Sequence, residues 1–244
     1  MKDVFTHIQL RSSQYAKNPM FSYLQDRRID ARKRLEFVPW ISHFVMTFAD
    51  LYNFFLVQEP APDRFQELVN THLSEESSHW KWFLTDIDTM GLNPTLKFTE
   101  ALRLLWGPET AKTRALAYEV CRLSSELASI ERLALVHAIE ATGRVALEAL
   151  VPVGVEFAQA SGRKLVYFGQ HHLDTERTHT VEEEGTRLFL ETVPVSPEQL
   201  EKMRAIVDDV FKHFDTFAHE AFERATSTGS FPATSRDAQR SASA

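Results

Sequence analysis

Apolar residues recur at spacings of three and four along most of the chain, the period of helices that bury one face. Residues 1 to about 29 read as one or two short helices broken near Asn18-Pro19. From Asp30 a long helical pattern runs to about Gln58, with Pro39 as a kink and Phe44, Phe48, Leu51, Phe54 and Phe55 in phase. Asp63 to about Met90 forms the next helix and closes at Gly91. A short helix over about 97–106 follows. Pro108 then opens another that reaches about Ser129, and Ser129 to about Ala160 is the most apolar helical run. After the break at Ser161-Gly162, a helix is predicted from Gly169 or Gln170 to about Glu191. A last one has Ser196 as N-cap and runs to about Ala225.

This is an all-α pattern in a single helical domain over 1–226. The Ser-, Thr- and Ala-rich residues 227–244 read as a disordered tail. Composition fits a soluble globular protein, with 43% hydrophobic and 25% charged residues. The net charge of −7 and the lack of a basic stripe argue against a nucleic-acid partner. No apolar run approaches the ~18 residues of a membrane span, and the N-terminus lacks a signal-peptide pattern, so no membrane partner is expected. The lone Cys121, in an apolar helical stretch, reads as core and fits a cytoplasmic location.

Candidate chemistry concentrates in three places. On the predicted helix after Gly169, His172, Glu176 and His179 fall within about 60° of one another, whereas His171 and Asp174 point away. Glu76 and His79 lie one turn apart on an earlier helix. Glu75 is also one turn from His79, so Glu76 is a preference. His72 is in phase with both and is read as structural or supporting. Glu140 interrupts the apolar stretch Leu133–Leu150, and a lone buried carboxylate needs a proton, a partner or a metal. His137, one turn earlier, is read as an edge residue. Three imidazoles and three carboxylates thus suggest a two-metal site of Glu76, His79, Glu140, His172, Glu176 and His179. Histidine nitrogen with carboxylate oxygen is the ligand set of non-haem iron and of manganese or zinc hydrolytic sites, and helical bundles build such sites from inward side chains on facing helices. His43, Asp50, Tyr52 and Asn53 interrupt a greasy helix, some of them as candidates to line a substrate cavity. His213 and His219 read as structural or exposed.

Glu-x-x-His, a lone Glu on a central helix and His-x3-Glu-x2-His resemble the haem-oxygenase-like di-iron oxidases and oxygenases over about residues 30–225. The resemblance implies a compact seven-helix haem-oxygenase-like bundle, related to that of thiaminase II. It implies two Fe, cycling between Fe(II) and Fe(III), held by the six residues above with Glu140 bridging, and dioxygen as co-substrate. Glu176 departs from the Asp usual in its slot. The implied substrate is a small molecule, an amino acid or related amine first and a fatty acid next. N-oxygenation or oxidative C–C cleavage, including nitrile formation or decarboxylation, is the expected chemistry. Asp50 is a candidate to meet an amine and Arg144 a carboxylate. An external electron donor and a homodimer both fit this type of protein. Ferritin-like N-oxygenases add an upstream Glu, for which Glu36 and Asp50 are poorly spaced. A cofactorless thiaminase-II-like hydrolase or binding protein is the other alternative, and Cys121 lacks the motif that class needs.

Overall fold

The computed structural model describes residues 1–176, 178–179 and 184–227; the predicted tail from 228 onward lies outside them. Among the described residues there is no strand. α1 (Lys2–Tyr15) and α2 (Pro19–Gln25) are separated at Asn18, whose side chain accepts from the Met20 N–H and caps α2. The long helix expected from Asp30 is instead four pieces. α3 (Ala31–Arg34) gives way to a 3₁₀ turn at Val38–Ile41 around Pro39. α4 (Ser42–Leu51) then widens into a π-helical turn at Tyr52–Leu56. Proline removes a backbone donor and fixes φ, which accounts for the first interruption.

Asp63 caps α5 (Arg64–Glu76), and α6 (His79–Met90) closes on Gly91, whose φ of 65° is the left-handed conformation that glycine adopts without penalty. One helix was expected here. It breaks at Ser77-Ser78, where the Ser77 hydroxyl donates to the Ser74 carbonyl and competes with the helical ladder. α7 (Phe98–Trp106) lies on the surface with no buried residue, and α8 (Ala111–Ser124) follows a 3₁₀ turn at Pro108–Thr110.

α9 (Ser129–Ser161) is the axis of the fold. Every residue from Ser129 to Ile139 is buried, the polar Glu131, Arg132 and His137 among them. α12, α5, α1, α2, α10 and α3 pack around it. The helix predicted to reach Glu191 is not continuous. α10 (Gln170–Glu176) stops in a tight turn in which the Thr178 N–H and hydroxyl both donate to the Thr175 carbonyl. α11 (Glu184–Thr192) is separate, and α12 (Pro197–Thr226) completes the bundle behind its Ser196 cap. The expected seven long helices are therefore a larger set of shorter ones, because local side-chain and proline effects cut several of them. No helix among the described residues is long and apolar enough to cross a membrane.

Residues 165–169 bring α10 to the bundle, and two glycines set how closely they do so. A Cβ on Gly154 would stand 2.2 Å from the Phe168 carbonyl oxygen, and one on Gly169 would stand 2.0 Å from that of Leu165. Backbone contacts that short leave no side chain to yield. Gly154→Ala should therefore destabilise the protein by about 1–3 kcal/mol, as overpacking does, read from the midpoint of urea denaturation.

Candidate metal centre

Glu76 is the last residue of α5 and His79 the first of α6, and the break between them still leaves Glu76 Oε2 2.8 Å from His79 Nδ1. The other Glu76 oxygen, Oε1, lies 2.8 Å from His179 Nδ1. Glu176, which ends α10, has Oε1 2.7 Å from His172 Nε2 and 3.4 Å from His79 Nδ1, and its Oε2 is 3.3 Å from His179 Nδ1. His172 Nε2 and His79 Nδ1 are 3.2 Å apart. On the α9 side, Glu140 Oε1 is 3.0 Å from His72 Nε2 and accepts from the Tyr52 hydroxyl at 3.2 Å. Donor atoms about 2.1 Å from one metal at right angles are about 3 Å apart, so these separations match a shared ion.

Groups of these residues bring one donor atom each to within 4.8 Å of one another: Glu76, His79, Glu176 and His179; His72, Glu76 and Glu140; and His72, Glu75 and His179. Glu76 belongs to two of the three groups, as His72 and His179 do, and its two oxygens face His79 and His179. Glu140 sits at one end of the cluster.

Two features test whether the residues suit a metal. Both ring nitrogens of His72, Oε1 of Glu76 and Nδ1 of His179 are buried without an aligned hydrogen-bond partner. Such atoms are costly inside a protein unless something else satisfies them. His172 Nδ1 lies 2.9 Å from the Tyr167 carbonyl oxygen. A carbonyl only accepts, so Nδ1 carries the proton and Nε2 turns its lone pair toward the cluster, the orientation metal-binding imidazoles are given. Asp86, fully buried, holds that carbonyl in place by accepting from the Val166 and Phe168 N–H groups at 2.7 and 2.9 Å. The residues fit a metal site.

The electrostatics have the same origin. Burial alone would lower the pKa of His79, but Glu176 and Glu76 override it and hold it up at about 9. His179 is likewise held at about 10 by the same two carboxylates against its burial. Burial raises Glu76, yet His179 and His79 keep it below the usual carboxylate value, and His172, His179 and His79 hold Glu176 far below it against its own burial. At Glu140 burial prevails over His72 and pushes the carboxyl up.

The other predicted positions fall elsewhere. Glu75 is half-buried, its Oε2 3.9 Å from His72 Nδ1. Asp50 and Asn53 are exposed, and Asp50 does not line the cavity at the cluster, because its phase on α4 is opposite to that of Phe44 and Phe48. His43 packs edge-on against Trp106 and Tyr118. His171 and Asp174 are exposed, and Glu36 pairs with Lys33. His137 is buried edge-on to Phe5, in the lining of a second pocket between α1 and α9. Arg144 is exposed where it reaches the edges of both cavities. Tyr52, one of several polar residues in a greasy run, is the one that reaches Glu140.

Glu76, His79, Glu140, His172 and Glu176 form the polar wall of a cavity of about 160 Å³. Ile41, Phe44, Val45, Phe48, Leu147, Leu150, Phe214 and Phe217 supply most of the rest. Gly143 also lines it, with nothing within 4 Å of where a Cβ would stand. Cys121, half-buried on α8, is not part of the lining.

No protein-family model and no curated protein matches the chain. Its structure is similar to the crystal structure of a TenA homologue from Pseudomonas syringae pv. tomato, with a TM-score of 0.60 over 91% of each chain and 12% sequence identity. That likeness assigns the fold, an all-helical one of the haem-oxygenase type.

Metal uptake at pH 7 should release protons from His79 and His179, since both are protonated in the metal-free protein and a ligating imidazole must give up its proton. Calorimetric titration with a divalent cation in buffers of differing ionisation heat reads this directly. Because both folded-state values lie above the ordinary ~6.5, the stability these residues contribute to the metal-free protein is complete below that pH. It is lost as pH rises through about 9 and about 10. The melting temperature of metal-free protein should fall across that interval.

Proposed function

We propose that the chain is a non-haem di-iron enzyme that uses dioxygen to oxidise a small, largely apolar carboxylic acid. An amino acid with a greasy side chain is the first candidate and a fatty acid the next. The observation that carries this reading is the buried convergence of imidazoles and carboxylates, some with unpartnered atoms, on the wall of an apolar cavity. Imidazole and carboxylate ligands with positions left open are the donor set of iron sites that activate oxygen. Glu76, His79, Glu140, His172, Glu176 and His179 would hold the metals, and when bound the irons would supply the electron transfer to dioxygen.

The chain's own residues do the rest. Tyr52 fixes Glu140 by its hydroxyl. The Tyr167 carbonyl sets the orientation of His172. The phenylalanines exclude water from the reacting face, which strengthens every polar interaction inside. Arg144 lies at the cavity edge, where it would meet a carboxylate. With Asp50 out of the cavity, an amine would be directed toward the carboxylate wall. Inserting one oxygen atom into an N–H bond consumes dioxygen, two electrons and two protons and leaves water, so that reaction calls for an external electron donor. The TenA-like fold keeps a cofactorless hydrolase as the second reading, but the reactive cysteine it needs is not supplied by Cys121.

Anaerobic loading should give two Fe(II) per chain, and one member of a panel of amino and fatty acids should accelerate dioxygen consumption. Protein that takes up no stoichiometric iron would overturn the proposal in favour of the hydrolase. His172→Ala and Glu140→Ala should lose iron and activity together, whereas His213→Ala should keep both. Arg144→Ala should raise the KM for the acid about tenfold or more, the worth of a charged hydrogen bond, with iron content unchanged.

A further inference from the structure

We infer that His72 is a metal ligand, a fourth imidazole that completes the second metal position together with Glu140, Glu76 and His179. This rests on the two-metal reading above and adds to it a residue that the six-ligand pattern lacks.

His72 stands one turn before Glu76 on α5, on the same helix face. It is fully buried, and neither ring nitrogen has an aligned hydrogen-bond partner. Its Nε2 is 3.0 Å from Glu140 Oε1, and its Nδ1 is 3.9 Å from Glu75 Oε2. Its ring centre is 5.4 Å from that of His179, with the planes at 72°.

Two arrangements account for such a ring. In the first, His72 is an imidazolium paired with Glu140. A donating N–H would then point along the line to the oxygen, and at 3.0 Å it does not. In the second, the nitrogen and oxygen are close because their lone pairs converge on a third point. Two ligands of one ion are about 3 Å apart and out of line with each other in just this way. Nδ1 then faces Glu75 Oε2 across 3.9 Å, beyond direct hydrogen-bond reach.

The distribution of donors supports the second arrangement. His79 and His172 lie together with Glu176, and Glu76 is shared. Without His72 the other position would have His179 as its imidazole, with Glu140 at the far end of the cluster. With His72, the side that carries Glu140 also holds an imidazole of its own, while Glu176 reaches both His79 and His179.

The test is titration of metal-free protein with Co(II), which reports coordination by its visible spectrum. Wild-type protein should bind two Co(II) per chain. His72→Ala should bind the first unchanged and the second at least tenfold more weakly, with His72→Gln behaving alike and His213→Ala like wild type. Two equivalents bound by His72→Ala with wild-type affinity and spectrum would overturn the inference. Wild-type protein that binds no cobalt would instead overturn the two-metal reading itself. Should both His72 variants fail to fold, proton NMR of the wild-type di-cobalt protein decides. Four exchangeable, strongly shifted imidazole N–H signals are expected, and three would overturn the assignment.

Discussion

Three carboxylates, buried or nearly so beside four buried imidazoles in an apolar bundle, impose the condition that the surrounding structure meets. Glu76, Glu140 and Glu176 would each cost several kcal/mol if ionised and alone at such depth. Protons on His79 and His179 relieve Glu76 and Glu176 in the metal-free chain, while Glu140 is held toward its neutral form by burial. The backbone irregularities gather around the same point. α5 ends at Glu76, α6 starts at His79, α10 ends at Glu176, and the π-helical turn begins at Tyr52. Helix ends and a widened turn thus coincide with the residues of the cluster.

Periodicity exposed much of this arrangement because helices project residues three and four apart onto one face. It is enough to unite His172 with Glu176, to associate Glu76 with His79, and to mark Glu140 as an acid out of place. It could not weigh His72, which shares a face with Glu76 whether it binds a metal or merely packs. Only contact with Glu140, on a different helix, separates the two. Nor could it find the breaks at Ser77-Ser78 and Thr178, where serine and threonine hydroxyls bond the backbone locally without the warning of Pro or Gly. Asp50 is the reverse case. A charge in a phenylalanine-rich run invites a role in the cavity, but about half a turn of phase carries it to solvent.

The fold by itself chooses no chemistry, since one scaffold of packed helices carries many sites. In this chain the support of the cluster extends well beyond the residues that face it. Asp86 grips the Val166 and Phe168 amides, the loop between them offers the Tyr167 carbonyl, and that carbonyl turns His172. Gly154 and Gly169 let the loop approach closely enough for this to work. A side chain needed only for packing would not require its ring nitrogen to be set through three tiers of contacts.

The charge of the cluster also bears on what enters the cavity. With two divalent cations, three carboxylates and neutral imidazoles, the site would keep a surplus of one positive charge beside walls of phenylalanine and leucine. A low-dielectric pocket magnifies that surplus. An anion with an apolar body relieves it, and a second cation entering beside it would aggravate it. On the two-metal reading, then, the cavity selects a carboxylate through the metals as much as through Arg144. In the metal-free chain the same walls face the carboxylates of Glu76 and Glu176, and the selection weakens. Metal and acid would thus reinforce one another's binding through charge alone, without a change in shape.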